Sequence, residues 1–211
     1  MSKTNDLGRD PIGKLVLKLA IPSMLAQFVN VFYGIVDRMY IGHIPHVGDL
    51  ALAGVGVCGP IVTLISSFAF LVGLGGAPLM AIRLGEKNKE GAQKILANAF
   101  LMLCVLALLL TGAALLLKKP MLMAFGASGA TYGYANEYMT IYVLGTLFAI
   151  LSVGLNQYII CQGYSTMGMA TVIIGAILNV LLDPVFIFLL GLGVRGAALA
   201  TVISQAVSCF F

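Results

Sequence analysis

Six apolar runs, at 14–42, 52–83, 94–117, 137–161, 167–190 and 196–211, fill most of this 211-residue chain. Five of them exceed the roughly 20 residues that carry a helix across the hydrocarbon of a bilayer. Inside lipid, no water satisfies backbone N–H and C=O groups, so such runs must close their hydrogen bonds within helices. Two soluble domains would fit the length. Only 9% of the residues are charged, however, where a soluble domain carries about 25%. So few charges cannot cover a surface facing water. The sequence therefore predicts an all-α integral membrane protein, a bundle of six transmembrane helices over 14–211 preceded by an N-terminal segment at 1–13, with the lipid bilayer as its solvent.

The charges lie between the runs, where they set orientation. Lys3, Arg9, Lys14, Lys18, Arg83, Lys87, Lys89 and Lys94 fall on one side, and Lys118, Lys119 and Arg195 on the other, eight against three. The positive-inside rule then puts the N-terminus in the cytoplasm. The formal charge of +4 is thus an orientation signal, and no nucleic-acid partner is expected. Cys58, Cys104, Cys161 and Cys209 sit in apolar runs without ligand spacing and read as small buried hydrophobes. The first run is too long and too often interrupted to be a signal peptide. Two glycine patterns, Gly54/Gly56/Gly59 and Gly191/Gly193/Gly196, match G-x-G-x-x-G. Neither follows a strand, so they predict close packing and a tight turn, not a nucleotide site.

Prolines 22, 60, 78 and 184 each remove a backbone donor inside a run. Such breaks survive in lipid when protein or a water-filled cavity satisfies the freed groups. Two carboxylates share these interiors. Asp37 ends a polar stripe, Gln27, Asn30, Gly34 and Asp37, whose spacings of three, four and three keep it on one helix face. Tyr33 lies one turn before Asp37. Asn179 and Asp183 are four apart on the fifth run, beside Pro184, and Thr201 follows on the sixth. At about 1.5 Å per residue, all of these reach the outer half of the membrane. A carboxylate there costs several kcal/mol unless compensated. Two carboxylates, an amide and a hydroxyl at one level make a hard-oxygen site for a shared proton or a sodium ion. Adjacent helix positions point about 100° apart, so Arg38 is expected to snorkel outward and leave Asp37 unpaired. Asn156 sits deeper, as an interhelical hydrogen bond or a cavity residue. His43 and His46 are too isolated for a metal site, and the other acidic residues, Glu137 among them, are expected to be solvated.

These residues carry a resemblance. "IPSMLAQFVNVFYGIVDRMYIGHI" at 21–44, "ALAGVGVCGPI" at the start of the second run, "LNVLLDPVFIF" at 178–188 and "GVRGAALATVISQ" after it resemble the N-terminal half of the multidrug and toxic compound extrusion (MATE) transporters, in the style of the bacterial MepA-like branch. The resemblance implies one six-helix lobe of a twelve-helix protein that exports amphipathic, often cationic drugs in exchange for sodium or protons. It is not an enzyme, has no cofactor beyond the coupling ion, and sits in the bacterial inner membrane. By motif, the coupling site falls on Asp37, Asn179, Asp183, Thr201, Tyr33 and Tyr138. The drug cavity falls on Asn30 and Asn156, with Gln27 on the same face, and Pro22 matches a bending proline. A full member would need a second, C-terminal lobe as partner, so the chain looks like a half-transporter cut within its last helix. A lipid-linked precursor flippase of the same superfamily would show more cationic residues within its spans. An intramembrane aspartyl protease using Asp37 and Asp183 would carry Gly-Asp contexts that are absent here.

Overall fold

The computed structural model describes residues 12–211, the side chains of Lys14 and Leu15 excepted. Nearly all of the segment expected at 1–13, with Lys3 and Arg9, lies outside the described residues. The apolar runs form α1 (Ile12–Gly42), α2 (Gly48–Gly85), α3 (Lys89–Ala124), α4 (Tyr132–Leu144), α5 (Thr146–Cys161), α6 (Ser165–Pro184) and α7 (Val194–Phe210), with a π turn at Val185–Leu189 extending α6. By length and composition, α1, α2, α3 and the extended α6 can each cross a membrane, and α4 with α5 forms one bent span. The shorter apolar α7 completes the bundle of six apolar segments among the described residues.

Two features depart from the sequence reading. The run at 137–161 is predicted as a single helix, but the structure breaks it at Gly145 into α4 and α5, bent by 59°. Val202 of α7 occupies the place where a Cβ on residue 145 would sit. The helix wall therefore steps aside at a residue without a side chain. At Pro184 the fifth span continues towards residue 190 as predicted, but not as a regular α-helix. The missing N–H breaks the i→i−4 ladder, and the backbone widens into a π turn closed by Leu190 N–H donating to Val185 O at 2.9 Å. Gly191 and Gly193, both at positive φ, then reverse the chain into α7.

Helix ends also extend past the predicted limits. Asn88 Oδ1 accepts the Gly91 N–H at 2.8 Å and starts α3 at Lys89, where Glu90 favours the positive end of the helix dipole. At its other end α3 runs on to Ala124, so Lys118 and Lys119 lie within the helix instead of following it. Glu137 is not simply solvated. Its carboxylate accepts from Arg195 Nη2 at 2.8 Å, tying α4 to α7.

Packing rests on small residues. A Cβ on Gly73 of α2 would lie 2.9 Å from Gly154 O of α5, so these helices touch backbone to backbone. The Tyr158 hydroxyl crosses the same seam to Val72 O at 2.8 Å. Gly54 does the same for α2 against the start of α4, where a Cβ would meet Thr131 O at 2.9 Å. α1 packs chiefly on α6, and Ser165 Oγ donates to Lys18 O at 3.3 Å where their ends meet. The outward side of α1 is bare: Phe28 and Phe32 stack at 6.4 Å and stay mostly exposed. The four cysteines are free thiols.

Candidate cation site and cavity

The α1–α6 contact brings Asp37 and Asp183 together. Their carboxyl groups face each other within hydrogen-bond reach, and both are buried, Asp183 completely. Two bare carboxylates repel at this range, so the contact needs a proton or a cation between them. Arg38 is exposed, and no ion pair joins it to Asp37 among the described residues. Asp37 Oδ1 and Asp183 Oδ2 have no hydrogen-bond partner.

Asn179 lies one turn before Asp183 on the same face of α6 and is 1% exposed. Its Nδ2 donates to Asp183 Oδ1 and to Thr201 Oγ1, both at 3.4 Å. The Thr201 hydroxyl is spent on Ala197 O at 3.0 Å, which leaves its lone pairs for Asn179. Tyr138 of α4 reaches Thr201 from the other side, and Tyr33 lies beside both carboxylates. The six residues singled out for the coupling site thus come from four helices to one buried cluster of oxygens. The described residues hold no group of three or more His, Cys, Asp or Glu side chains suited to a metal ion. With two carboxylates, an amide and a hydroxyl, the donor set instead suits a hard monovalent cation or a proton.

Below this cluster opens a cavity of about 300 Å³. Gln27, Asn30 and Tyr33 of α1 line it, with Asn156 of α5 and Asn179 and Thr201 of the cluster. Asn156 fills both roles weighed for it: it faces the cavity, and its Nδ2 donates across to Gly168 O of α6 at 3.2 Å. Pro22 lies within the unbroken α1 near this cavity, and Pro184 adjoins Asp183 where the π turn begins.

Sequence reading overlooked a second set of polar side chains. Ser204 and Gln205 follow Thr201 on α7 and also line the cavity, and the Gln205 and Ser66 side chains lie beside the Tyr142 hydroxyl. Tyr142 in turn stacks on Tyr138, ring centroids 6.1 Å apart. The available signal was the helical spacing Thr201, Ser204 or Gln205, Ser208 in an apolar run.

A family model described as MatE matches residues 22–185. Among curated proteins, the multidrug export protein MepA of Staphylococcus haemolyticus is 29% identical over 200 residues, 95% of this chain and 44% of its own length. A FAD transporter of Shewanella oneidensis is 28% identical over 203 residues, 94% of this chain and 44% of its own. Among solved structures, the outward-facing conformation of a multidrug resistance MATE family transporter of the MOP superfamily superposes with a TM-score of 0.91 at 28% identity, over 100% of this chain and 46% of that one. The chain thus spans less than half the length of each of these relatives.

Proposed function

Because the chain belongs to the MatE family of membrane transporters, we propose that it is the N-terminal lobe of a cation-coupled exporter of amphipathic, often cationic drugs. In this reading, Asp37, Asn179, Asp183 and Thr201, with Tyr33 and Tyr138, hold the coupling sodium ion or proton. Gln27, Asn30 and Asn156 meet the drug. Pro22 and Pro184 let the helices bend between states, and a second lobe closes the cavity and rocks against this one. The N-terminus lies in the cytoplasm and the bundle in the bacterial inner membrane. No chemistry is done on the cargo.

One observation carries the reading: a pair of buried, facing carboxylates with orphaned oxygens shares Asn179 and Thr201 with a cavity large enough for part of a drug. A cation arriving at the pair and a drug arriving in the cavity therefore act on the same two side chains. No Lys or Arg lines the cavity among the described residues, which disfavours a pyrophosphate cargo, whether a flipped lipid-linked precursor or a dinucleotide.

The test is competition. Ethidium added to the purified chain in lipid nanodiscs should displace bound ²²Na⁺ or release protons into weakly buffered solution. Asp37→Asn should abolish both responses. Ethidium binding that displaces neither ion would remove the coupling role.

A further inference from the structure

Asn179 presents its amide nitrogen, not its oxygen, to the coupling cluster. The oxygen is buried and without a partner. Since Nδ2 is committed to Asp183 and Thr201, Oδ1 points away from them, and Asn179 lines the cavity. Two further oxygens, on other residues lining this cavity, are in the same state. Ser204 Oγ, on a residue 4% exposed, and Gln205 Oε1 are buried and unpartnered. Both residues line the cavity, one turn along α7 from Thr201. The Gln205 amide lies beside the Tyr142 hydroxyl. An unpartnered buried oxygen costs about 1–3 kcal/mol, and three on residues of one cavity call for a ligand.

We propose that Asn179 Oδ1, Ser204 Oγ and Gln205 Oε1 form a second, neutral cation site, which takes a partly hydrated sodium ion passing between the carboxylate pair and the cavity. It rests on the coupling role given above to Asp37 and Asp183. Oxygen ligands suit a hard cation, and cavity water completes the shell. With no carboxylate, the site binds weakly and exchanges quickly, as a transit position must. Asn179 belongs to both sites. Rotating its amide by half a turn moves the oxygen from the neutral site to the carboxylates, so one side chain can hand the ion over.

The experiment soaks crystals of the 211-residue chain with thallium(I), a monovalent cation located by its anomalous scattering. Two peaks are expected, one between Asp37 and Asp183 and one among Asn179, Ser204 and Gln205. The double variant Asp37→Asn/Asp183→Asn should lose the first and keep the second. Ser204→Ala should lower thallium affinity at the second about tenfold, as the loss of one ligand implies. Gln205→Glu, isosteric and so unlike Gln205→Leu in sparing the Tyr142 contact, should raise it. A peak at the carboxylates alone, or water alone at the neutral site, overturns the second site and leaves the coupling reading standing. Absence of thallium from both positions overturns the neutral site and leaves the carboxylate pair to a proton.

Discussion

The Arg195 guanidinium lies 2.8 Å from the Glu137 carboxylate and joins the first turn of α7 to α4 across 58 residues of sequence. Glu137 precedes Tyr138, and Thr201 lies further along the helix that Arg195 opens, so the bond joins two of the helices that build the cluster. Both side chains remain substantially exposed, and such pairs contribute about 0–1 kcal/mol and are screened by salt. Glu137→Gln should therefore lower stability by less than about 1 kcal/mol. The difference should shrink when thermal unfolding is repeated in 1 M salt, where screening is short-ranged. A much larger loss, insensitive to salt, would mean the pair is shielded from water.

If the carboxylate pair binds sodium in the folded state alone, sodium must stabilise the fold. At a hundredfold excess over Kd the gain is about 2.7 kcal/mol. Titrating sodium against the unfolding midpoint of the purified chain should raise it in the parent. The same titration should leave Asp37→Asn and Asp183→Asn flat. An equal rise in the variants would place the ion elsewhere.

Gly73 tests the packing that supports the site. A Cβ there would meet the Gln157 side chain at 2.8 Å and the Gly154 backbone oxygen of α5 at 2.9 Å. Gly73→Val should cost about 1–3 kcal/mol or more through forced separation of α2 and α5. Gly73→Ala should cost less, because alanine regains about 1 kcal/mol of helix propensity. Unfolding in lipid micelles measures both, and a neutral Gly73→Val would show that the seam can open freely.

Transport requires two repeats moving around a central site, and this chain spans less than half the length of its relatives. Expressed by itself in an efflux-deficient bacterium, it should insert but expel no ethidium above the empty-vector rate. Extrusion abolished by Asp37→Asn would show that one lobe suffices.

The six apolar segments and the oxygen cluster were legible in the sequence for the same reason. Apolar runs leave few polar residues, and helical spacing decides which of them share a face. Asn179 and Asp183 at four apart could only point together, and depth along the helices brought Asp37 and Thr201 level with them. Gly145 was not legible, because nothing local separates it from the many other glycines in the spans. Its break depends on Val202, a residue of a distant helix. The π turn after Pro184 was half legible: proline announced a fault in the ladder, but whether the chain stops or widens is settled by what α7 packs against. Ser204 and Gln205 were passed over because, in sequence, neutral polar residues near a helix end look like ordinary interfacial ones. Only their orphaned oxygens distinguish them.

The bend at Gly145 also bears on how the protein is made. At about 1.5 Å per residue, α4 and α5 measure roughly 20 and 24 Å, and neither alone crosses a hydrocarbon layer of about 30 Å. A ribosome-bound translocation machine that judged each helix as it emerged would find two segments too short to span the bilayer. Only the two helices together, joined through the bend, reach across the layer, so Gly145 decides whether this stretch of chain counts as one crossing or none.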